Sequence, residues 1–219
     1  MIATADIVGR VRRLLNEAES DERLSLLSED TRSIDLHILA LLPQAVALTQ
    51  KNKGDGCGCV NARSADCASV RVADGGNGSA LLELPADFVS LVSLQLEGWR
   101  RPCTEQHAQS STVAVAQCNA DTRAGVCRPV AVEGTGADGA RVLMLYPAVH
   151  AGAPALGHFV YEAEFNADDG LDGCSGQLAD AVAYNCAALL YSVFERPDAA
   201  NMFLSLAMAL CNGNVRERR

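Results

Sequence analysis

The sequence contains no long hydrophobic run and very little lysine. No stretch of its 219 residues approaches the ~18 to 20 consecutive apolar residues that a membrane-spanning helix needs, so we expect no membrane span. Lys51 and Lys53 are the only lysines, and the net charge is −9. Because proteins bind nucleic acid chiefly by neutralising phosphates with positive side chains, this charge balance argues against a DNA-binding module.

The beginning of the chain lacks the layout of a secretory signal. In "MIATADIVGRVRRLLNEAES" the charged residues fall inside the apolar periodicity and not ahead of an apolar core. We therefore expect the protein to be intracellular when it is made.

Sequence motifs for catalysis are absent as well. There is no G-x-G-x-x-G opening a βα unit, no Walker loop, no H-E-x-x-H and no G-x-S-x-G elbow. The four histidines are far apart, at positions 37, 107, 150 and 158. We expect the chain not to be an enzyme, and we predict no catalytic residue and no bound cofactor.

Cysteine, in contrast, is abundant, with nine residues. The number is odd, and without a secretory signal a disulfide framework is not expected. The one cluster, "GDGCGCVNARSADC", has a single C-x-C at Cys57 and Cys59 followed by Cys67, whereas structural zinc sites repeat a C-x₂₋₄-C spacing. We predict no metal site, free thiols for most of the nine, and no catalytic nucleophile among them.

Helical periodicity marks the N-terminal segment. Thr4 is a candidate cap for a first helix with one apolar stripe, formed by Ile7, Val8, Val11, Leu14 and Leu15. A second helix is predicted at roughly 30–50, with the stripe Ile34, Ile38, Leu41, Ala45 and Leu48. Pro43 lies inside this pattern and predicts a kink there or a break near Leu42.

The same periodicity returns near the C-terminus. Asp172 or Ser175 is predicted to cap a helix with the stripe Leu178, Val182, Asn185, Leu189 and Val193. Pro197 and Asp198 then start a last helix that ends at Asn212-Gly213.

Between the two helical segments the sequence is typical of β-structure. Short strands are predicted at "ASVRVA", "ALLEL", "LVSLQLE", "TVAVAQ", "RPVAVEG", "ARVLMLYP" and "HFVYEAEF", separated by Gly- and Asn-rich turns. The predicted class is α+β. Residues 1–56 and 171–213 form a helical bundle, 57–170 form an inserted antiparallel β-domain (a sandwich or a small barrel), and 214–219 form a flexible C-terminal tail.

Two segments stand out as candidate partner-binding sites. In "LPADFVSLVSLQLEGWRRPC" a period-two strand leads into Trp99, Arg100 and Arg101. Trp99 is either a core or cap residue at a strand end or part of a contact surface, where Trp and Arg are enriched. The tail "NVRERR" has almost no apolar content and cannot order by burial, so its residues are candidates for ordering on a partner: Val215, Arg216, Arg218 and Arg219.

The order of these elements resembles that of the head–tail adaptor proteins of tailed phages. The resemblance rests on "IDLHILALLPQAVALTQ", on "LPADFVSLVSLQLEGWRRP", and on the closing pair "LADAVAYNCAALLYSVFERPDAANMFLSLAMAL". It covers nearly the whole chain and is strongest to the podovirus type, also called ring protein, gatekeeper or tail tubular protein A.

The resemblance implies a structural virion protein of the neck or tail, assembled in the host cytoplasm. The helical bundles would pack into a homo-oligomeric ring, usually twelvefold, beneath the portal protein. The C-terminal segment would reach into the portal, and the β-domain would face outward or toward the next tail component. DNA would pass the lumen without specific binding, since an acidic wall repels phosphates. The alternatives are a β-sandwich binding module for carbohydrate or protein on a helical base, and an unrecognised enzyme.

Overall fold

A computed structural model describes residues 1–15, 28–54, 57–136, 139–148 and 154–212, with the backbone alone for 28–33. The chain divides into a helical unit, Met1–Ala62 with Glu164–Arg219, and a β-unit, Arg63–Ala163. The predicted α+β class, a bundle made from both ends of the chain with a β-rich insert, is confirmed. The predicted insert, 57–170, extends a few residues beyond the β-unit at each end.

The helices of the described residues are α1 (Thr4–Leu14), α2 (Ser28–Asn52), α3 (Thr112–Gln117), α4 (Gly176–Val193) and α5 (Pro197–Asn212). The strands are β1 (Ala62–Ser64), β2 (Val72–Gly76), β3 (Ser79–Glu83), β4 (Phe88–Leu96), β5 (Gln106–His107), β6 (Val130–Thr135), β7 (Arg141–Tyr146) and β8 (Leu156–Ala163).

Helix α4 is the centre of the helical unit. It packs against α1, α2 and α5, whereas α2 and α5 touch each other little. The apolar stripes predicted from the sequence supply part of this core, because helical spacing places most of their members on one side of each helix. The buried members of the predicted stripes include Ile7, Val11, Ile38, Ala45, Leu178 and Val182. Three further core residues, Leu42, Cys186 and Leu190, lie outside the predicted stripes. The prediction for Val193 is wrong, because its side chain at the end of α4 is 60% exposed.

The helix ends agree with the sequence in part. Ser175 caps α4 as predicted, since its Oγ accepts a 3.2 Å hydrogen bond from the Leu178 N–H. The predicted cap at Thr4 is wrong. Ala3 is the N-cap residue of α1 and makes no side-chain cap, while Thr4 Oγ1 donates a 2.6 Å hydrogen bond to the Ala167 carbonyl. The Thr4 hydroxyl therefore binds an acceptor that is distant in the sequence and does not cap α1.

Helix α2 continues through Pro43, so the predicted break near Leu42 does not occur. Pro43 is exposed, and its neighbours Leu42, Ala45 and Val46 are buried against the rest of the unit. Most of the stability of a helix in a protein comes from packing of its apolar face. Burial on both sides of Pro43 therefore holds the helix together across the missing N–H.

One polar pair lies inside the contact between α2 and α4. The Asn185 Nδ2 donates a 2.9 Å hydrogen bond to Thr49 Oγ1, and Thr49 Oγ1 donates one of 2.8 Å to the Ala45 carbonyl. Both side chains are buried. Asn185 Oδ1 has no hydrogen-bond partner among the described residues. A buried pair of this kind fixes the register of two helices at some cost in stability.

The β-unit contains two open sheets in its described part, with the orders β1-β8-β4 and β2-β3-β7-β6-β5. Most pairs are antiparallel, but β5 and β6 are parallel, so the larger sheet is mixed. The strand predicted at "TVAVAQ" is wrong, because this segment forms α3. Ser111 caps α3 by accepting a 3.1 Å hydrogen bond from the Ala114 N–H, and short apolar segments do not distinguish strand from helix by periodicity.

Candidate functional site

Trp99, the first candidate partner-binding residue, lies in the core of the β-unit. Its side chain is 4% exposed, and its Nε1 donates a 2.9 Å hydrogen bond to the Pro147 carbonyl. The Gln95 amide donates a 2.8 Å hydrogen bond to the Trp99 carbonyl, which holds the turn after β4. A buried indole with a satisfied N–H packs and anchors the fold. Of the two interpretations of Trp99, the burial supports the core position.

Arg100 and Arg101 follow Trp99 and are exposed. The backbone N–H of Arg100 donates a 2.9 Å hydrogen bond to the Val126 carbonyl, so the chain is held in place here. Cys103 then returns to the sheet and exchanges backbone hydrogen bonds of 2.7 and 2.8 Å with Leu94. Two positive side chains thus project from a fixed turn. Their role in binding a partner stays a prediction.

The remaining candidate residues belong to the C-terminal tail. Val215, Arg216, Arg218 and Arg219 lie outside the described residues, which end at position 212. Their predicted role therefore rests on the sequence alone.

A group of ionisable side chains lies at one edge of the β-unit core. Tyr161 donates a 3.0 Å hydrogen bond to Asp87 Oδ1, and Arg63 Nη1 lies 3.0 Å from Asp87 Oδ2. Burial, and then the hydrogen bond to Asp87, raise the pKa of Tyr161 to about 12. A general base or nucleophile requires its pKa near the working pH. This arrangement is therefore suited to anchoring β8 rather than to catalysis.

Helix α2 exposes an apolar stripe on the side away from its buried stripe. The members of the α2 stripe are exposed and uncharged, and they follow helical spacing: Leu36, Leu39, Ala40, Pro43 and Ala47. Leu36 is 64% exposed and Leu39 is 37% exposed. The only charged side chain between positions 34 and 50 is Asp35, which pairs with Arg12 of α1 (Nε to Oδ1, 2.7 Å). A helix that is apolar around most of its circumference is usually covered on both sides.

Helix α5 exposes a second apolar stripe. Met202, Leu206 and Ala209 lie on the side opposite its buried residues, and Met202 is 53% exposed. Asp198 is the only charged residue in this helix. Two more exposed apolar side chains lie at the end of α4: Val193, its last residue, and Phe194, which follows it. The two stripes differ in part of their composition: the α5 stripe contains a methionine, Met202, whereas the α2 stripe contains Pro43 and two alanines beside its leucines.

These two stripes are the most notable surface feature that the sequence analysis missed. Contiguous exposed apolar surface on a globular protein marks an interaction site. The signal was present in the sequence, since the segments "LHILALLPQAVAL" and "ANMFLSLAMAL" contain almost no charge on any face. Periodicity revealed which side is most apolar, but it did not reveal that the other side is apolar too.

Three buried cysteines have raised pKa values. Burial raises the pKa of Cys186 to about 12, and it also raises the pKa of Cys103 and Cys211. The reactive form of cysteine is the thiolate, which a raised pKa disfavours at these three positions. Within the described ranges, His, Cys, Asp and Glu form no cluster that could hold a metal ion.

A surface cavity of the β-unit bears on the binding-module alternative. Its volume is about 340 Å³. Sites for small molecules are lined by aromatic and apolar side chains with a few convergent polar groups. This cavity has aliphatic and cysteine lining only, from Cys67, Ala68, Val70, Val72, Pro154, Ala155 and Leu156. It gives no support to a carbohydrate-binding module.

No protein-family model and no curated protein matches this chain. In the part of the chain that the structure describes, every helix is too short or too polar to cross a membrane.

Proposed function

We propose that the protein is a structural head–tail adaptor of a tailed phage, which assembles into an oligomeric ring beneath the portal. The observation that carries this proposal is the pair of unlike apolar stripes on α2 and α5. The two helices flank α4 within one unit, so each copy offers two different surfaces to its neighbours. The order of elements along the chain, which resembles that of phage adaptors, supplies the biological context.

The proposed contact places the α5 stripe of one copy against the α2 stripe of the next. Both surfaces are uncharged, so their burial would leave no unpaired charge at the interface. Long side chains such as Met202 and Leu206 would pack between the small residues Ala40 and Ala47. A contact between two unlike surfaces is heterologous, and repeated around an axis it closes into a ring.

The charge of the chain is consistent with a DNA channel. At −9 the protein would repel phosphates, so a genome could slide through a ring of this protein without adhering. We assign the contact with the portal to the tail 214–219, on the basis of its sequence alone, and the contact with the next tail component to the exposed arginine pair Arg100 and Arg101.

Two variants that each remove one stripe test the heterologous contact. Leu36→Glu with Leu39→Glu disrupts the α2 stripe, and Met202→Glu with Leu206→Glu disrupts the α5 stripe. Light scattering on the full chain should show a large oligomer for the unaltered protein, alone or with the portal of the same phage. Each double variant alone should be monomeric. Mixed together they should form a dimer and nothing larger, because only one intact contact remains between them.

Other outcomes would contradict the proposal. Dimers formed by the α2 variant alone would indicate a symmetric α5–α5 contact, which cannot build a ring. An unaltered protein that is monomeric both alone and with the portal would refute the adaptor function. Ala5→Glu, which adds a charge at an exposed position of α1, is the matched control and should assemble normally.

The tail provides a separate test of portal binding. Deletion of residues 214–219 should leave the fold and the contact between copies intact while it abolishes co-sedimentation with the portal. Normal co-sedimentation of the shortened chain would show that the docking role lies elsewhere.

A further inference from the structure

The "GDGCGC" segment brings two cysteines into contact with cysteines of the C-terminal region. Cys59 is paired with Cys174 in a β-bridge, between the end of α2 and the start of α4. Two residues earlier, the Cys57 thiol donates a hydrogen bond to the Cys211 carbonyl at the end of α5. All four residues belong to the helical unit. They are far apart in the sequence, so only the fold brings them together.

The geometry of the Cys59–Cys174 pair suits a disulfide bond. Cys59 and Cys174 form an isolated parallel bridge, and hydrogen-bonded neighbouring segments lie about 4.7–4.9 Å apart. Disulfides join residues with Cα atoms about 4.4 to 6.8 Å apart. Both cysteines are half-buried, so a small oxidant can reach them.

Neighbouring hydrogen bonds join the two segments. The Ala62 N–H donates a 2.8 Å hydrogen bond to the Asp172 carbonyl, and the Asp172 N–H donates one of 3.3 Å to Asn61 Oδ1. Gly173 has φ +64, and a Cβ there would lie 3.0 Å from the Ala62 side chain. Only glycine allows this close approach without strain. These contacts lie within three residues of each cysteine and hold the two segments together.

The Cys57–Cys211 pair is a contrasting arrangement in the same segment. Both side chains are buried, at 5% and 0% exposure. Burial, and then the neighbouring Cys57, raise the pKa of the Cys211 thiol. A buried neutral thiol reacts slowly, because the thiolate is the nucleophile in disulfide exchange. The Cys57–Cys211 pair therefore serves as a comparison for the reactivity of the half-buried Cys59–Cys174 pair.

We propose that Cys59 and Cys174 are a site of reversible oxidation at which a disulfide oxidant forms a bond between the chain segments that precede and follow the inserted β-unit in the sequence. The thiolate of one cysteine attacks glutathione disulfide, and one glutathione thiolate leaves. The second cysteine thiolate then attacks the protein sulfur of the mixed disulfide, and the second glutathione leaves. The two protein thiols lose two protons and two electrons, and the oxidant is reduced to two thiols.

The bond would close a loop that contains the whole of Arg63–Ala163, the inserted unit. A crosslink across a loop of this length stabilises a protein by restricting the unfolded chain. The reduced form, present during assembly in a reducing cytoplasm, would be converted to a more resistant form outside the cell. This change of compartment rests on the proposed function, whereas the formation of the crosslink does not.

The test uses the full chain with Cys118→Ser and Cys127→Ser, which removes the two exposed thiols. The reduced protein is incubated with glutathione disulfide at pH 8, the remaining thiols are alkylated under denaturing conditions, and the product is mapped by mass spectrometry. We expect seven alkylatable thiols before oxidation and five after it, with one crosslinked peptide pair that contains Cys59 and Cys174. The melting temperature should rise by about 5 °C or more, and dithiothreitol should reverse the rise.

Single variants keep the inference falsifiable. Cys174→Ser should abolish both the crosslink and the rise in melting temperature, and an unchanged circular dichroism spectrum would show that it still folds. Cys57→Ser keeps a hydrogen-bond donor for the Cys211 carbonyl and should leave the crosslink intact. A crosslink between any other two cysteines, bonds between separate chains, or glutathione retained on Cys59 would each overturn the proposal.

Discussion

The two units differ in how completely they cover their apolar residues. Among the described residues, Val115 is the one large hydrophobic side chain exposed in the β-unit. The helical unit exposes many, on the outer sides of α2 and α5 and in the turn between α4 and α5. Yet both units have well-buried cores, around Phe88, Phe159 and Tyr161 in one and around α4 in the other.

The difference indicates that the two units have different tasks. The β-unit has covered its apolar surface within the chain, so its folding requires nothing further. The helical unit has buried one side of α2 and α5 on α4 and left the other sides uncovered. These uncovered, uncharged sides are the surfaces to which we assign the contact between copies in the proposed ring.

The largest effect is expected for Trp99→Ala, which tests whether Trp99 is part of the buried core of the β-unit. The change removes a side chain that is 4% exposed and leaves the Pro147 carbonyl without its donor. We expect the free energy of unfolding to fall by about 3–5 kcal/mol. Urea titration followed by circular dichroism measures it. A loss below about 1 kcal/mol would show that Trp99 lies on a surface, and Arg101→Ala is the exposed control.

An intermediate effect on stability is expected at alkaline pH. It tests whether water is excluded from the core around α4, as it is from the β-unit core. Burial raises the pKa of Cys186 from its ordinary value of 9.0 to about 12. The folded protein keeps this proton to a higher pH than the unfolded chain does. Stability is therefore complete below pH 9, and as pH rises from 9 toward 12 it should fall by about 1.4 kcal/mol per unit.

The control for this pH dependence is Cys186→Ala. It should lower stability at pH 8 through the cavity it leaves, and it should remove the contribution of Cys186 to the slope between pH 9 and 12. Tyr161, whose pKa is also about 12, should continue to lower stability above pH 10 in the variant. An identical slope in both proteins would show that water reaches Cys186.

The smallest effect is expected on the outer side of α5, and it sharpens the contrast between covered and uncovered residues within one helix. Leu206→Ser should lower the free energy of unfolding of the monomer by about 1 kcal/mol, because the side chain is 41% exposed and serine has a lower helix propensity than leucine. Phe203→Ala, only three residues away, should lower it by about 3–5 kcal/mol, because Phe203 is 7% exposed and stacks on Tyr191. Urea titration at a concentration where both proteins are monomeric compares them. A similar loss for both would show that the α5 stripe is covered within the chain.

Much of the fold was predictable because its signals are local. The stripes of α1, α2 and α4, the Ser175 cap and the start of α5 at Pro197 follow from spacing and side-chain chemistry over a few residues. The errors arose where a distant group intervened. The Thr4 hydroxyl donates its hydrogen bond to the Ala167 carbonyl and does not cap α1. The register of β4 is irregular between Leu91 and Ser93, so Leu91 is buried and Val92 is only half-buried.

The sequence by itself determined the class of the fold and most of the buried members of the helical stripes, because each depends on composition or short periodicity. Tertiary structure alone decided that the Trp99 N–H meets Pro147, that α2 and α5 keep a second apolar side uncovered, and that Cys59 lies beside Cys174. The physical reason is that periodicity specifies which side of an element is most apolar, whereas the partner of that side is set by packing between residues distant in the chain.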